Sequence, residues 1–514
     1  MMQQYRAKAL MISSSRIRRC CTETGGEAAR GFVVTVRSES MIKPSSPTPP
    51  HLRRFKLSLF DLITPPEYYA TFVSFYRAPP AAASQHRHHV VLRDSLSKAL
   101  SHFYPLAGRL ELVWGPDGGW GPTPSSFVNC NDEGVLYVEA EADQDMAEFL
   151  GDTVPVSEAQ LLSQQLGPPR PRVVCPRSSS SQVVYLAAVK TTVFRCGGIA
   201  VGVSVSHVVA DAQVTGMLLK KWAAFAVGGT TTTADRGYAH DAAASLFQAE
   251  ESIISGTRSY MRELSEKAAA NRLGAVANQR FVFTREAISA LKTEARSEQV
   301  PDPSRTAAIS GLIWKAANDA SRETAGAAAA TSVLLSVVNL RPRLKVPLQD
   351  YPMGNVLWVA AAAATLHIDG NGDDRQVLKQ LVKLVKGSVA EVDGDFVEKL
   401  QGGTKAHHEL QKLLIASWSS NSSINSSTRQ YNLSSILRNG MNEVDFGWGK
   451  PLWVRFLWLT DEPPGRDNVV LMEATAGDDG AVEALVSLDE REMAIFQQDP
   501  HLLRYAVLNP RIRL

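Results

Sequence analysis

Two hydrophobic patterns alternate along the chain. Continuous apolar runs bounded by turn residues predict buried strands, and apolar residues three or four positions apart predict amphipathic helices. Strands are predicted at residues 32–37, 69–76, 182–193, 280–283, 332–340, 454–459, 469–474 and 482–487. Two more are predicted in the apolar run that begins at Cys196 and gives way to His207, and in the apolar run that follows Asn355 and extends through Ala364. Helices are predicted at residues 91–103, 212–227, 285–296, 306–318, 374–392 and 489–498. Each half of the chain therefore mixes strands with helices, which is typical of an α/β protein.

Segments without such periodicity predict loops and linkers. Residues 228–243 carry Gly-Gly and a run of threonines with few large apolar residues, a linker composition. Residues 421–435 are polar and serine-rich and are predicted to form a loop. A chain of 514 residues is too long for one typical core, so two domains are expected.

Composition excludes several classes of protein. The net charge of +2 argues against a dedicated nucleic-acid binder, and no apolar run approaches the roughly 18 residues of a membrane span. The five cysteines are odd in number and irregularly spaced, which suggests neither a disulfide framework nor a zinc site. We therefore expect a reducing compartment and no nucleic acid, membrane or metal.

Two local features each have two interpretations. Residues 1–30 are basic, contain serines and have no acid before Glu23, which resembles an organelle transit peptide; we favour an unstructured extension instead. His86, His88 and His89 are close enough to suggest metal binding. We favour a solvated loop over residues 81–89, because no carboxylate or thiol accompanies them.

One stretch combines a buried strand with candidate chemistry. His207 follows the apolar run, and Asp211 precedes the helix at 212–227, where an Asp is a favoured N-cap. Imidazole titrates near neutrality, so His207 is a candidate general base. With eleven His in the chain, about half a match to His-x-x-x-Asp is expected by chance. The pattern alone is therefore compatible with an ordinary core histidine.

A second motif makes the pair specific. Asp445-Phe446-Gly447-Trp448-Gly449 stands intact near the C-terminus. Both motifs, in this order, resemble the signature of the plant BAHD acyl-CoA-dependent acyltransferases. The sequences of residues 42–52 and of residues 57–62, which include Asp61, look most like the branch that contains vinorine synthase and other alkaloid acetyltransferases.

The resemblance implies a fold and a setting. The fold is α/β: two similar-sized mixed domains of the chloramphenicol acetyltransferase type with a channel between them. We place the first domain at 31–227, a crossover linker at 228–278 and the second domain at 279–514. The resemblance also implies a cytoplasmic monomer, with a plastid location only if residues 1–30 are a transit peptide.

The resemblance implies an enzyme that transfers acyl groups other than amino-acyl groups. Acyl-CoA would be a co-substrate with no permanently bound cofactor, the acyl group preferably acetyl, and the acceptor a hydroxyl of a plant specialised metabolite. His207 would be the base for direct transfer, and the CoA contacts stay unassigned. Asp211 could orient His207 as in a triad, but the family pattern favours a structural pair with Arg341 or Arg343.

The second motif and the overall function also have alternatives. Asp445, Gly447, Trp448 and Gly449 are expected to support the site structurally; direct substrate contact is the alternative. A hydroxycinnamoyl-CoA-dependent O- or N-acyltransferase is the alternative enzyme, and a non-catalytic binding protein on the same fold is the alternative of another class. A peptide-synthetase condensation domain is disfavoured, because Ser206 and Ala212 replace the His and Gly of its motif.

Overall fold

The structure is a computed structural model. It describes residues 32–79, 85–112, 123, 125–151, 165–169, 184–229, 242–249, 254, 275–325, 331–345, 353–365, 373–401, 428–457, 466–474 and 480–512. The predicted extension 1–30 and much of the predicted linker 228–278 lie outside these residues.

The strands follow the chain in this order: β1 Val34–Ile42, β2 Arg54–Lys56, β3 Tyr69–Tyr76, β4 Arg109–Glu111, β5 Phe127–Asn129, β6 Val135–Ala142, β7 Val184–Tyr185, β8 Ala187–Val193, β9 Ile199–Ser206, β10 Val276–Phe283, β11 Thr331–Asn339, β12 Leu357–Thr365, β13 Thr428–Ser435, β14 Trp453–Leu457, β15 Asn468–Glu473, β16 Val482–Asp489 and β17 Val507–Leu508.

The α-helices are α1 Leu59–Leu62, α2 Gln85–Leu100, α3 Met146–Gly151, α4 Ala212–Ala226, α5 Ala242–Leu246, α6 Arg285–Glu294, α7 Arg305–Ala325, α8 Asp374–Glu391, α9 Gly394–Leu400, α10 Glu490–Phe496 and α11 Pro500–Leu503. Short 3₁₀ turns lie at Pro50–Leu52, Tyr104–Ala107, Arg341–Arg343 and Met441–Glu443. No helix in the described ranges has both the length and the apolar character needed to cross a membrane.

Two large sheets carry the fold. The first has six strands in the order β1-β6-β8-β9-β3-β14, and the second has seven in the order β12-β11-β13-β15-β16-β10-β17. A smaller sheet has the order β2-β5-β4-β7. Strand β14 comes from the second half of the chain but pairs antiparallel with β3 of the first sheet. The two halves are thus joined by backbone hydrogen bonds as well as by side chains.

The central strands of the first sheet are buried on both faces. Every residue of β3, β8 and β9 is buried, which explains their nearly continuous apolar sequences. One cluster of buried apolar side chains belongs wholly to the second half of the chain. The other centres on the first sheet and also takes in residues of the second sheet, among them Val338 and Trp358. An apolar interface therefore connects the sheets.

Two predicted loops are wrong. Residues 428–435 form β13, a parallel partner of both β11 and β15, so the sheet interior overrides the polar composition. Helix α2 begins at Gln85, inside the segment predicted as a solvated loop. His88 is buried there against the Trp448 ring, with the ring centroids 5.3 Å apart, and tertiary packing thus outweighs the local polarity.

Candidate active site

His207 lies at the end of β9, as its sequence position predicts. Its backbone N–H donates to Tyr68 O over 2.8 Å, and the Tyr68 ring meets the imidazole edge-on with the centroids 6.1 Å apart. The side chain is half-buried, in contrast to the fully buried strand before it. The rigid sheet therefore presents the imidazole at an edge where a ligand can reach it.

Asp211 points toward the second sheet. It is the N-cap of α4, and its Oδ1 accepts from Val214 N over 3.1 Å. Its Oδ2 accepts from Arg341 Nη1 over 2.6 Å and from Val356 N over 3.4 Å. The carboxylate is thus held by a helix start and by a guanidinium, and Arg343 donates instead to Asn339 O over 2.9 Å.

The second sheet places Arg341 and Asn355 opposite each other at one of its ends. Strands β11 and β12 are antiparallel neighbours, with Asn339 opposite Leu357 at their last pair. Continuing this register two residues beyond each strand end brings Arg341 opposite Asn355. Arg341 also donates through Nη2 to Gly354 O over 3.1 Å. One end of the second sheet therefore meets the HxxxD loop, residues 207–211.

The 353–356 loop touches His207 directly. Gly354 N donates to Val209 O over 2.8 Å, and the Asn355 side-chain Nδ2 donates to His207 O over 2.6 Å. The same Nδ2 donates to Asp61 Oδ1 over 3.0 Å, and Asn355 N donates to that oxygen over 2.7 Å. Asn355 thus links a carboxylate near the start of the chain to the candidate base.

The electrostatics favour a neutral imidazole. Burial lowers the pKa of His207 below its usual 6.5, although the negative charge of Asp211 and a hydrogen bond to the Asn355 side chain oppose that effect. His207 Nδ1 and Asn355 Oδ1 are both buried and have no other partner among the described residues. An imidazole that is neutral at physiological pH is able to accept a proton.

Ser206, the neighbour of His207, is placed differently. Its side chain is fully buried within β9, because successive side chains of a strand point to opposite faces. Its N–H donates to Leu186 O over 2.8 Å inside the sheet. The hydroxyl closest in sequence to His207 is therefore inaccessible to a substrate.

The DFGWG turn, residues 445–449, is held by hydrogen bonds within the turn. Asp445 Oδ1 accepts from Gly447 N over 2.7 Å and from Gly449 N over 2.8 Å. Both glycines have positive φ, +102° and +103°, a backbone region that other L-residues rarely adopt. The carboxylate of Asp445 is exposed to solvent and bonds within its own turn.

Aromatic side chains pack this turn against helix α4 and strand β3. Phe446 is buried against Trp222 of α4 with the ring centroids 4.9 Å apart, and it stacks on Trp448 at 5.7 Å. Tyr76 of β3 donates its hydroxyl to Val444 O over 3.2 Å. Helix α4 therefore contacts both motifs, with Asp211 at its first turn and Trp222 near its last.

Sequence reasoning missed two residues of the site, Asn355 and Asp61. In the sequence, Asp61 stands out only as part of the segment that resembles the alkaloid acetyltransferase branch, and Asn355 only as the residue before an apolar run. Both contacts join residues far apart in sequence, Asn355 with Asp61 and with His207. An available signal was the hairpin: once β11 and β12 are paired, Arg341 and Asn355 lie at the same end of the sheet.

Metal ligation has no support in the part of the chain that the structure describes. No group of three or more His, Cys, Asp or Glu residues there is arranged to hold a metal ion. His89 lies beside Glu139, with Nδ1 3.8 Å from Oε1, and beside the Thr191 hydroxyl. These are contacts between α2 and the strands of the first sheet.

Known proteins match along nearly the whole chain. The Transferase family model matches residues 32–503. Vinorine synthase from Rauvolfia serpentina is 32% identical over 469 residues, covering 89% of this chain and 94% of the relative. Epi-neemfruitin B 7-O-acetyltransferase from Melia azedarach is 28% identical over 481 residues, covering 92% and 98%.

Solved structures of other proteins share the fold of this chain. The crystal structure of vinorine synthase matches with a TM-score of 0.68 at 28% identity, covering 90% of this chain and 96% of that one. TRI101 from F. sporotrichioides, crystallised with coenzyme A and T-2, matches with a TM-score of 0.63 at 18% identity, covering 89% and 100%. These matches confirm the predicted two-domain α/β fold of the chloramphenicol acetyltransferase type. The chain is an acyltransferase and belongs to the Transferase family of plant BAHD enzymes.

Proposed function

We propose that this acyltransferase moves an acetyl group from acetyl-CoA to a hydroxyl of a plant specialised metabolite, with His207 as the general base. The observation that carries the proposal is the His207 imidazole: half-buried at a strand end and kept neutral by burial. The name of one relative, an O-acetyltransferase, supports acetyl as the acyl group and a hydroxyl as the acceptor.

The proposed reaction is a direct transfer. His207 Nε2 takes the proton of the acceptor hydroxyl while the oxygen attacks the thioester carbonyl. The tetrahedral intermediate collapses, the carbon–sulfur bond breaks, and the imidazolium returns the proton to the CoA sulfur. For this sequence Nδ1 must carry the resting proton, and we propose that it donates to Asn355 Oδ1. That pairing would give both buried atoms a partner and would fix the tautomer.

Two contacts support direct transfer over a covalent acyl-enzyme. The Ser206 hydroxyl, the first candidate nucleophile, is fully buried in β9. Asp211 hydrogen-bonds to Arg341 and to backbone N–H groups, so it is not available to orient an imidazole–serine pair. We therefore propose structural roles for Asp211 and Arg341, and for Asp445, Gly447, Trp448 and Gly449 in the turn.

The setting of the reaction is part of the proposal. We propose that donor and acceptor enter a channel between the domains from opposite sides, and that a monomer in the cytoplasm carries out the reaction. Light scattering of the purified chain tests the monomer. A fluorescent fusion of the full chain tests the compartment, and import into plastids would identify residues 1–30 as a transit peptide.

The test of function is a donor and acceptor screen. Acetyl-, malonyl- and coumaroyl-CoA are each incubated with pooled plant metabolites, and products are identified by mass spectrometry alongside release of free CoA. We expect acetylated products that are absent with His207→Ala. Preferred use of coumaroyl-CoA would instead establish the hydroxycinnamoyl alternative. Binding of metabolites without CoA release from any donor would contradict an enzymatic role.

The kinetic scheme is tested separately. When donor and acceptor concentrations are both varied, direct transfer requires a ternary complex, so reciprocal plots should intersect. Parallel lines, together with a covalent acyl group on the enzyme after incubation with acetyl-CoA alone, would contradict it.

A further inference from the structure

Asp61 is a buried carboxylate whose two oxygens serve different parts of the molecule. Oδ2 accepts from the N–H of Ser58 over 2.8 Å and from its hydroxyl over 2.7 Å, which closes the cap of α1. Oδ1 accepts from Asn355, through its backbone N–H and its side-chain Nδ2. The helix cap therefore uses one oxygen, and the other is directed at the site.

We infer that Asp61 is a positioning residue for the reaction, whose carboxylate orients the Asn355 side chain and thereby the His207 imidazole. The inference rests on the function proposed above. Asn355 Nδ2 bridges Asp61 Oδ1 and His207 O, so its two N–H bonds are both committed. The amide is then fixed in one orientation, and Oδ1 is the atom left to face the imidazole.

Close approach of the backbone makes this contact possible. Gly354 has φ +98°, and a Cβ built on it would lie 2.9 Å from Asp61 Oδ2 and 3.0 Å from Oδ1. A side chain at this position would push the 353–356 loop away from the carboxylate. Glycine before asparagine is thus what brings the Asn355 amide within reach of Asp61.

A negative charge on the buried Asp61 destabilises the folded protein. The side chain is 1% exposed, and burial raises its pKa to about 6, although the hydrogen bonds from Asn355 and Ser58 oppose that effect. The described groups that lower this pKa most are the uncharged Asn355 and Ser58. The ionisable groups packed on the same loop are His207 and the Asp211–Arg341 pair. A neutral residue would be enough for a helix cap alone, so the carboxylate points to a role beyond the cap.

The test compares Asp61→Asn with Ser58→Ala. In Asp61→Asn an NH₂ replaces one oxygen, so the side chain cannot accept from both Ser58 and Asn355. We expect kcat to fall about tenfold or more, the range of a lost supporting hydrogen bond, with KM for acetyl-CoA within about twofold. Ser58→Ala removes the hydroxyl from the cap but leaves both bonds from Asn355 to Asp61 Oδ1 in place. At a pH well above the pKa of Asp61 we expect a lower Tm with unchanged kcat.

The pH profile adds a readout that a purely structural role would not change. In the wild type, protonation of Asp61 should slow turnover about tenfold and protonation of His207 should abolish it, so the slope of log kcat against pH should exceed one over the range where both groups titrate. In Asp61→Asn the slope should approach one. If Asp61→Asn does not fold, the wild-type profile decides, with circular dichroism checking that the enzyme stays folded. A wild-type slope that nowhere exceeds one would overturn the inference.

The outcomes separate this inference from the proposed function. Wild-type kcat and pH profile in Asp61→Asn, with His207→Ala inactive, would overturn the role of Asp61 alone. Equal losses of kcat in Asp61→Asn and Ser58→Ala would reduce Asp61 to a helix cap. Full turnover in His207→Ala would instead remove the general base itself.

Discussion

The HxxxD loop and the DFGWG turn are built in opposite ways. The loop is held by side chains from distant segments: Arg341 on Asp211, and Asn355 on the His207 carbonyl. The turn is held by its own Asp445, which bonds the N–H groups of Gly447 and Gly449, and by aromatic packing.

The difference indicates what each motif does. A loop fixed from several sides keeps the imidazole in one place, at the junction of the two sheets, as a base must be kept. A turn that satisfies its own polar groups is suited to holding α4, because its Phe446 packs on Trp222. Removal of the His207 side chain should therefore change catalysis with little effect on stability, and mutations in the turn should change stability with little effect on catalysis.

The largest contrast is expected for His207→Ala. Loss of a general base lowers kcat by roughly 10²- to 10⁴-fold, and removal of a half-buried imidazole should leave the Tm near that of the wild type. Steady-state kinetics and differential scanning calorimetry measure the two quantities. A variant that unfolds at much lower temperature would give His207 a structural role instead.

Arg341→Ala is expected to be the most destabilising of the substitutions considered. The pair with Asp211 is buried, with side-chain exposures of 7% and 1%, and removing one partner leaves the other charge uncompensated. Such a loss costs about 3–5 kcal/mol of the free energy of unfolding. The matched control is Arg37→Ala, which breaks the exposed pair with Glu141, at 58% and 54%, and should cost about 1 kcal/mol or less. Equal effects in chemical denaturation would show that the Asp211 pair is not a clamp.

Asp445→Ala should lower the free energy of unfolding by about 1 kcal/mol, because two N–H groups of the turn lose their carboxylate acceptor and bond to water instead. The kcat per folded molecule should stay close to the wild type. Asp445→Asn keeps a carbonyl oxygen as acceptor and serves as the control. A loss of kcat in folded Asp445→Ala comparable with that of His207→Ala would place the turn in the chemistry.

The smallest effect concerns the pH dependence of stability. The folded-state pKa of Asp61, about 6, lies above its ordinary 3.8, so the folded protein takes up a proton first as the pH falls. The wild type should therefore gain about 1 kcal/mol relative to Asp61→Asn between about pH 7.5 and pH 5. Urea unfolding at both pH values measures the gain. A constant difference would mean that Asp61 stays ionised in the folded protein down to pH 5, so that burial does not raise its pKa.

Local patterns predicted much of the fold. The apolar run before His207 became β9, and the spacing of Val214, Leu218 and Trp222 became α4 with Asp211 as its N-cap. These elements follow from periodicity and from capping, which depend on neighbouring residues. The two sequence motifs added the order of the elements and the type of reaction.

The missed features depend on contacts between distant segments. Strand β13 has a polar sequence and exists because β11 and β15 pair with it on both sides. Strand β14 crosses to the first sheet, which no local pattern indicates. The Asp61–Asn355 contact joins residues 294 positions apart, and only the paired sheet brings them together.

We propose that the ionisation of His207 controls turnover, and the pH dependence of kcat/KM in the wild type and in His207→Ala measures that control. With saturating acetyl-CoA, the wild type should lose activity toward acid with an apparent pKa below 6.5, because burial lowers the pKa of His207. The residual activity of folded His207→Ala should lack this acid limb, since Asp61 acts only through His207. The same acid limb in the variant would assign the ionisation to another group and contradict the general-base role.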